Sequence, residues 1–156
     1  FRFVVHGLWP QKERTWPDFC PLPREIQPSP EVITGMFDIM PSRGLLQHQW
    51  RKHGSCSGLS PSAYFDMTRA AYDKVKIPAA FQNLRNGGRI GPDAVEMAFR
   101  LSNPGLRDTA IAVTCTGGKL QEVRICFDKD LNFRSCPGVD RAGCRARVVD
   151  VPPPRQ

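Results

Sequence analysis

The chain has 156 residues, 40% of them hydrophobic, with 22 Lys and Arg against 15 Asp and Glu and a formal net charge of +7. That apolar content supports a buried core and excludes a disordered tail, and no run approaches the ~20 apolar residues of a bilayer-spanning helix. The positive charge favours a polyanionic partner, nucleic acid before an anionic membrane, and its scatter argues against an unstructured basic arm.

Phe1 to Trp9 reads as a strand closed by Gly7-Leu8-Trp9-Pro10, and it lacks the basic start and cleavage site of a signal peptide, the pattern of a mature fragment. Residues 10–30 are rich in proline and polar side chains, so a long loop is expected. Apolar residues at 32, 33, 36, 37 and 40 have helical spacing over 31–40, and Pro41 ends that run. A second helix is expected over 45–53, stopped by Gly54. Ser60-Pro61 is an N-cap followed by proline at the first helical position, opening a helix to about Val75. Gly91-Pro92-Asp93 opens another over 94–101. Thr109–Cys115 and Leu120–Phe127 read as strands around a Thr116-Gly117-Gly118 turn. Helices in the middle and strands at both ends predict an α+β fold: a central antiparallel sheet with helices on one side. One domain over 1–150 is expected, with a flexible proline-rich tail over 151–156.

Six cysteines, at 20, 56, 115, 126, 136 and 144, contain no Cys-x-x-Cys pair. Three disulfides in an oxidising compartment, secreted or periplasmic, are therefore expected rather than a zinc site. Fifteen pairings are open at this point.

All three histidines fall in two short segments, Phe3-Val-Val-His6-Gly-Leu-Trp-Pro10 and His48-Gln-Trp-Arg-Lys-His53-Gly54. Histidine is the side chain that exchanges protons near neutral pH. On a helical wheel with His48 at zero, Lys52 falls at about 40°, Gln49 at about 100° and His53 at about 140°. Two imidazoles, an ammonium and an amide then share one arc suited to a phosphate, and Trp50 points away to anchor the helix. A solvated polar face is the plainer alternative. A metal site is disfavoured, because the histidines are five apart and Lys52 opposes a cation. In the first segment, Gly7 lets another group approach the backbone closely. Trp9 offers a flat ring beside His6, as a nucleobase site wants, and Trp16 offers a second.

Taken together, the two segments resemble the active-site segments of the ribonuclease T2 family, with Cys20 between them and Cys56 just after the second. The resemblance implies that His6 and His53 are the acid–base pair and that His48 and Lys52 bind phosphate. It places Trp9 and the ring of the Thr15-Trp16-Pro17-Asp18-Phe19-Cys20 segment at one base site, and Pro41, Ser42 and Leu45 at a second. It also implies bridges Cys20–Cys56, Cys115–Cys144 and Cys126–Cys136. Two departures stand out. Gln49 occupies the position of the family's glutamate; an amide can still donate a hydrogen bond to a phosphate oxygen but carries no charge. The strand and loop that precede the first segment in the family do not appear in this chain.

The expected activity is metal- and cofactor-independent cleavage of single-stranded RNA with low base specificity by a monomer. The 2′-hydroxyl attacks the adjacent phosphate with His53 as base and His6 as acid, giving a 2′,3′-cyclic phosphate and then a 3′-phosphate. DNA lacks the nucleophile and is not cleaved. The alternative is an RNA- or polyanion-binding protein weakened by Gln49. A membrane-active protein is a third class, and it lacks the basic amphipathic helix such a role needs.

Overall fold

The computed structural model describes residues 3–153 apart from 13, 83 and 85. The described residues gather into two compact units, Val4–Lys74 and the residues from Val75 onward together with Phe3.

The first unit is helical. Helix α1 spans Pro30–Thr34, with Ser29 Oγ accepting the Val32 N–H at 3.3 Å and proline in its first turn. It is shorter than the expected 31–40 because Gly35 caps it and the chain continues through turns to Met40. The apolar spacing survives in those turns: Ile33, Met36, Ile39 and Met40 are all buried. Helix α2 spans Arg43–Lys52, capped by Ser42 Oγ on the Leu45 N–H at 3.2 Å and closed by the His53 N–H on the Gln49 carbonyl. Helix α3 spans Pro61–Lys74, with Ser60 Oγ accepting the Ala63 N–H at 3.2 Å.

The core of this unit is aromatic. Trp50 and Tyr64 meet edge to face at 5.8 Å, and Tyr64 meets Phe65 at 5.0 Å. All three are at most 1% exposed, and burying each contributes ~1.5–3 kcal/mol. Their polar ends are satisfied: Trp50 Nε1 donates to the Ile26 carbonyl at 3.0 Å and Tyr64 Oη to the Leu8 carbonyl at 2.7 Å. Residues 3–9 form no strand, contrary to the sequence expectation; Phe1 and Arg2 lie outside the described residues. The Val5 N–H donates to the Ile39 carbonyl at 2.9 Å, in a turn rather than a strand. A β-like residue pattern yields a strand only where a neighbouring strand supplies a ladder.

The second unit carries the sheet. After α4 (Ala79–Gln82) come β1 (Gly88–Ile90), α5 (Pro92–Ser102), β2 (Ile111–Thr116), β3 (Lys119–Ile125), α6 (Pro137–Arg141) and β4 (Val149–Val151). The strand order is β1-β4-β3-β2. The sheet is mixed rather than antiparallel throughout. β2–β3 and β1–β4 are antiparallel, but β3 and β4 join in parallel at Lys119 and Asp150. The parallel join follows from residues 126–148, a connection long enough to return the chain in the same direction. Phe81, Val95 and Phe99 from α4 and α5 pack with Ile111, Val113, Leu120, Val149 and Val151. Val151, expected in the tail, ends β4; 154–156 lie outside the described residues. Bridges join Cys20 to Cys56, Cys115 to Cys144 and Cys126 to Cys136. Among the described residues no helix is long and apolar enough to cross a membrane.

Candidate active site

The last turn of α2 carries His48, Gln49 and Lys52, His53 is its C-cap, and the arc drawn on the helical wheel divides into two layers. His48 is exposed and Lys52 half-buried, whereas Gln49 and His53 are each only 6% exposed. The first histidine segment lies against the inner layer. Trp9 Nε1 donates to Gln49 Oε1 at 2.7 Å, and the Trp9 ring stacks on His53 with centroids 5.1 Å apart and planes 24° apart. Gly7 is the residue that permits this approach: a Cβ there would overlap Gln49 Oε1 and Cδ. The close approach expected at Gly7 thus has an identified occupant, the Gln49 amide. His6, one residue before it, is exposed.

Burial, reinforced by the electrostatic influence of Lys52 and His48, lowers the His53 pKa to about 4, against a smaller opposing effect of Asp18. The imidazole is therefore neutral at pH 7. Its Nδ1 is buried with no hydrogen-bond partner among the described residues.

Phe19 completes the rim. It has a left-handed backbone, φ 46°, uncommon for a bulky residue. Its N–H donates to the Lys52 carbonyl at 2.8 Å, the Cys20 N–H donates to Ser55 Oγ at 3.1 Å, and the Cys20–Cys56 bridge fastens the loop to the segment after α2. The exposed ring stands edge-on to His48 at 6.1 Å and under the Lys52 ammonium at 5.9 Å. Sequence reasoning placed Phe19 in the aromatic segment without singling it out. The available signal was its position directly before Cys20. Trp16 is 67% exposed. Pro41, Ser42 and Leu45 sit at the other end of α2. Ser42 is committed to capping, Leu45 is half-buried against the core and Pro41 is exposed. Among the described residues no three His, Cys, Asp or Glu side chains are grouped to hold a metal ion.

Comparison with known proteins places the chain. A ribonuclease of Aeromonas hydrophila is 38% identical over 137 residues, covering 82% of this chain and 59% of its own length. A probable ribonuclease of Haemophilus influenzae is 28% identical, covering 87% of this chain and 47% of its own. The chain therefore spans about half of these relatives. Among solved structures, RNase NT in complex with 5′-AMP superposes with a TM-score of 0.66 at 27% identity, covering 96% of this chain and 82% of that one. An RNase-related protein from Calystegia sepium gives 0.72 at 21% identity, covering 96% and 81%, a likeness of fold. A model of the ribonuclease T2 family matches residues 1–136, and the chain belongs to that family.

Proposed function

We propose that the chain is a metal-independent endoribonuclease acting on single-stranded RNA. The observation that carries this reading is His53: a buried, neutral imidazole stacked on Trp9, with His48 and Lys52 on the open side of the same helix turn. In the first step His53 takes the proton of the ribose 2′-hydroxyl. The 2′-oxygen bonds to phosphorus, the bond from phosphorus to the 5′-oxygen breaks, and His6 protonates that oxygen. Lys52 and His48 offset the extra negative charge of the five-coordinate phosphorus. In the second step His6 takes a proton from water, the water oxygen bonds to phosphorus of the 2′,3′-cyclic phosphate, the bond from phosphorus to the 2′-oxygen breaks, and His53 returns the proton to that oxygen, leaving a 3′-phosphate.

Low base specificity follows if flat rings, Trp9 and the exposed Trp16, hold the base by stacking. The RNase NT structure contains 5′-AMP, and an adenine nucleotide is accordingly the first ligand to test here. Pro41, Ser42 and Leu45 are assigned to a second base site, Pro41 being the exposed one of the three. Three disulfides support a secreted or periplasmic protein. All the site residues come from Val4–Lys74 of one chain, in keeping with a working monomer. The reading of RNA binding with weakened catalysis rests on Gln49 and is separated by the same experiment. That experiment is cleavage of homopolymer RNA and of the matching DNA, with and without EDTA, with product ends read by phosphorus NMR. EDTA-insensitive cyclic phosphate from RNA alone is expected, lost in His6→Phe and His53→Phe. Binding without product would overturn the enzymatic reading.

A further inference from the structure

Gln49 and His53 are the two buried polar residues of the α2 face, and the Gln49 side-chain oxygen accepts the indole N–H of Trp9. The Trp9 ring is in turn the flat wall on which the His53 imidazole lies. Gly7 keeps its backbone against the Gln49 amide, so the amide is held from two sides by one segment. From this chain of contacts we propose that Gln49 is a positioning residue, acting on His53 through Trp9 rather than on the phosphate directly. The proposal rests on the ribonuclease reading above only for its effect on rate.

A glutamine meets two demands at once. Its carbonyl oxygen can hold an N–H donor as a carboxylate would. It does so without placing a negative charge beside a buried imidazole. Lys52 and His48 from α2 and Asp18 from the loop act on His53, and residues 3–10 bring a further imidazole, His6, but no carboxylate. A carboxylate at 49 would add an attraction for the charged ring to the weak one that Asp18 supplies. The neutral form of His53, the form that accepts a proton, then extends further into acid with glutamine than with glutamate. Orientation is the second benefit. His53 Nδ1 has no hydrogen-bond partner among the described residues, so ring packing against Trp9 stands in for the polar contact that often orients a catalytic histidine.

The test compares Gln49→Met, of similar volume but without the acceptor, and Gln49→Glu, which keeps the acceptor and adds charge. In nitrogen-15-labelled protein the Trp9 indole N–H signal, assigned with Trp9→Phe, is expected to move in Gln49→Met and to stay hydrogen-bonded in Gln49→Glu. The His53 pKa, followed by its ring protons, is expected to rise by about one unit in Gln49→Glu. For RNA cleavage, kcat/KM should fall about tenfold in Gln49→Met. In Gln49→Glu the acid limb of the pH profile should move upward with the His53 pKa. An unmoved indole signal in Gln49→Met, or an unmoved His53 pKa in Gln49→Glu, overturns the proposal, and the second variant gives its answer even if the first does not fold. Wild-type protein that cleaves no RNA while both NMR responses appear removes the ribonuclease reading and supports the Gln49 role.

Discussion

Phe19 and Lys52 hold each other at two points: the Phe19 N–H donates to the Lys52 carbonyl at 2.8 Å, and the Lys52 ammonium stands 5.9 Å from the Phe19 ring centre. The Lys52 ammonium is thereby tied to a loop residue whose own backbone is strained. Asparagine tolerates a left-handed backbone far better than phenylalanine, and replacing an exposed ring loses little burial. Phe19→Asn is expected to raise the melting temperature by about 2–4 °C. RNA cleavage should fall about 2–5-fold, since an exposed ring under an ammonium contributes ~0.5–1 kcal/mol. Thermal scans and kcat/KM on one RNA check both. A variant that loses stability and activity together would show Phe19 to be structural.

The bridges should differ in their contribution to stability. Cys20–Cys56 closes a loop of sequence separation 36 and Cys126–Cys136 one of separation 10. The chain-entropy model gives ~4 kcal/mol for the first and ~3 kcal/mol for the second. Paired Cys→Ser variants compared by urea unfolding should show that order. Only the Cys20/Cys56 pair should also lower the rate, because it releases Phe19.

Gly7→Ala is a one-carbon probe of the site. Its methyl would overlap the Gln49 amide, and overpacking of this kind costs about 1–3 kcal/mol. Because the strain falls on the partner of Trp9, kcat/KM should drop about tenfold or more. The folded fraction by circular dichroism at 25 °C should stay near that of the wild type.

Acid should weaken the fold through His53. Its folded pKa of about 4 lies below the usual value of 6.5, so between those limits the unfolded chain binds more protons. The stability contributed by the neutral buried ring is full above pH 6.5. It declines as pH falls toward 4 and is gone below that. Urea midpoints at pH 7 and pH 4.5 should differ more for wild type than for His53→Gln, and equal differences would refute it.

What the sequence disclosed followed the range of the interactions involved. Helix α3 was legible because Ser60 and Pro61 set its start locally, and β2–β3 because the hairpin turn and both strands lie in one stretch. β1 and β4 are three residues each and exist through pairing with distant chain, so Val151 read as tail and neither strand was expected. Residues 3–9 had the composition of a strand and no strand beside them. At the site, the wheel placed His48, Gln49, Lys52 and His53 on one arc, but the division into open and buried layers depends on where residues 7–9 dock. The left-handed turn at Phe19 is imposed by its neighbours and is written in no property of the phenylalanine itself.

The stacking of Trp9 on His53 has an optical consequence. The chain's three tryptophans occupy different surroundings: Trp50 is sealed in the core, Trp16 is open to solvent, and Trp9 lies face to face with an imidazole. A charged imidazolium quenches indole emission on contact, whereas the neutral ring does so weakly. With Trp16 silenced by a soluble quencher, the remaining pH-dependent fluorescence reports the proton on His53, so the protein carries its own emitter beside the proposed proton acceptor.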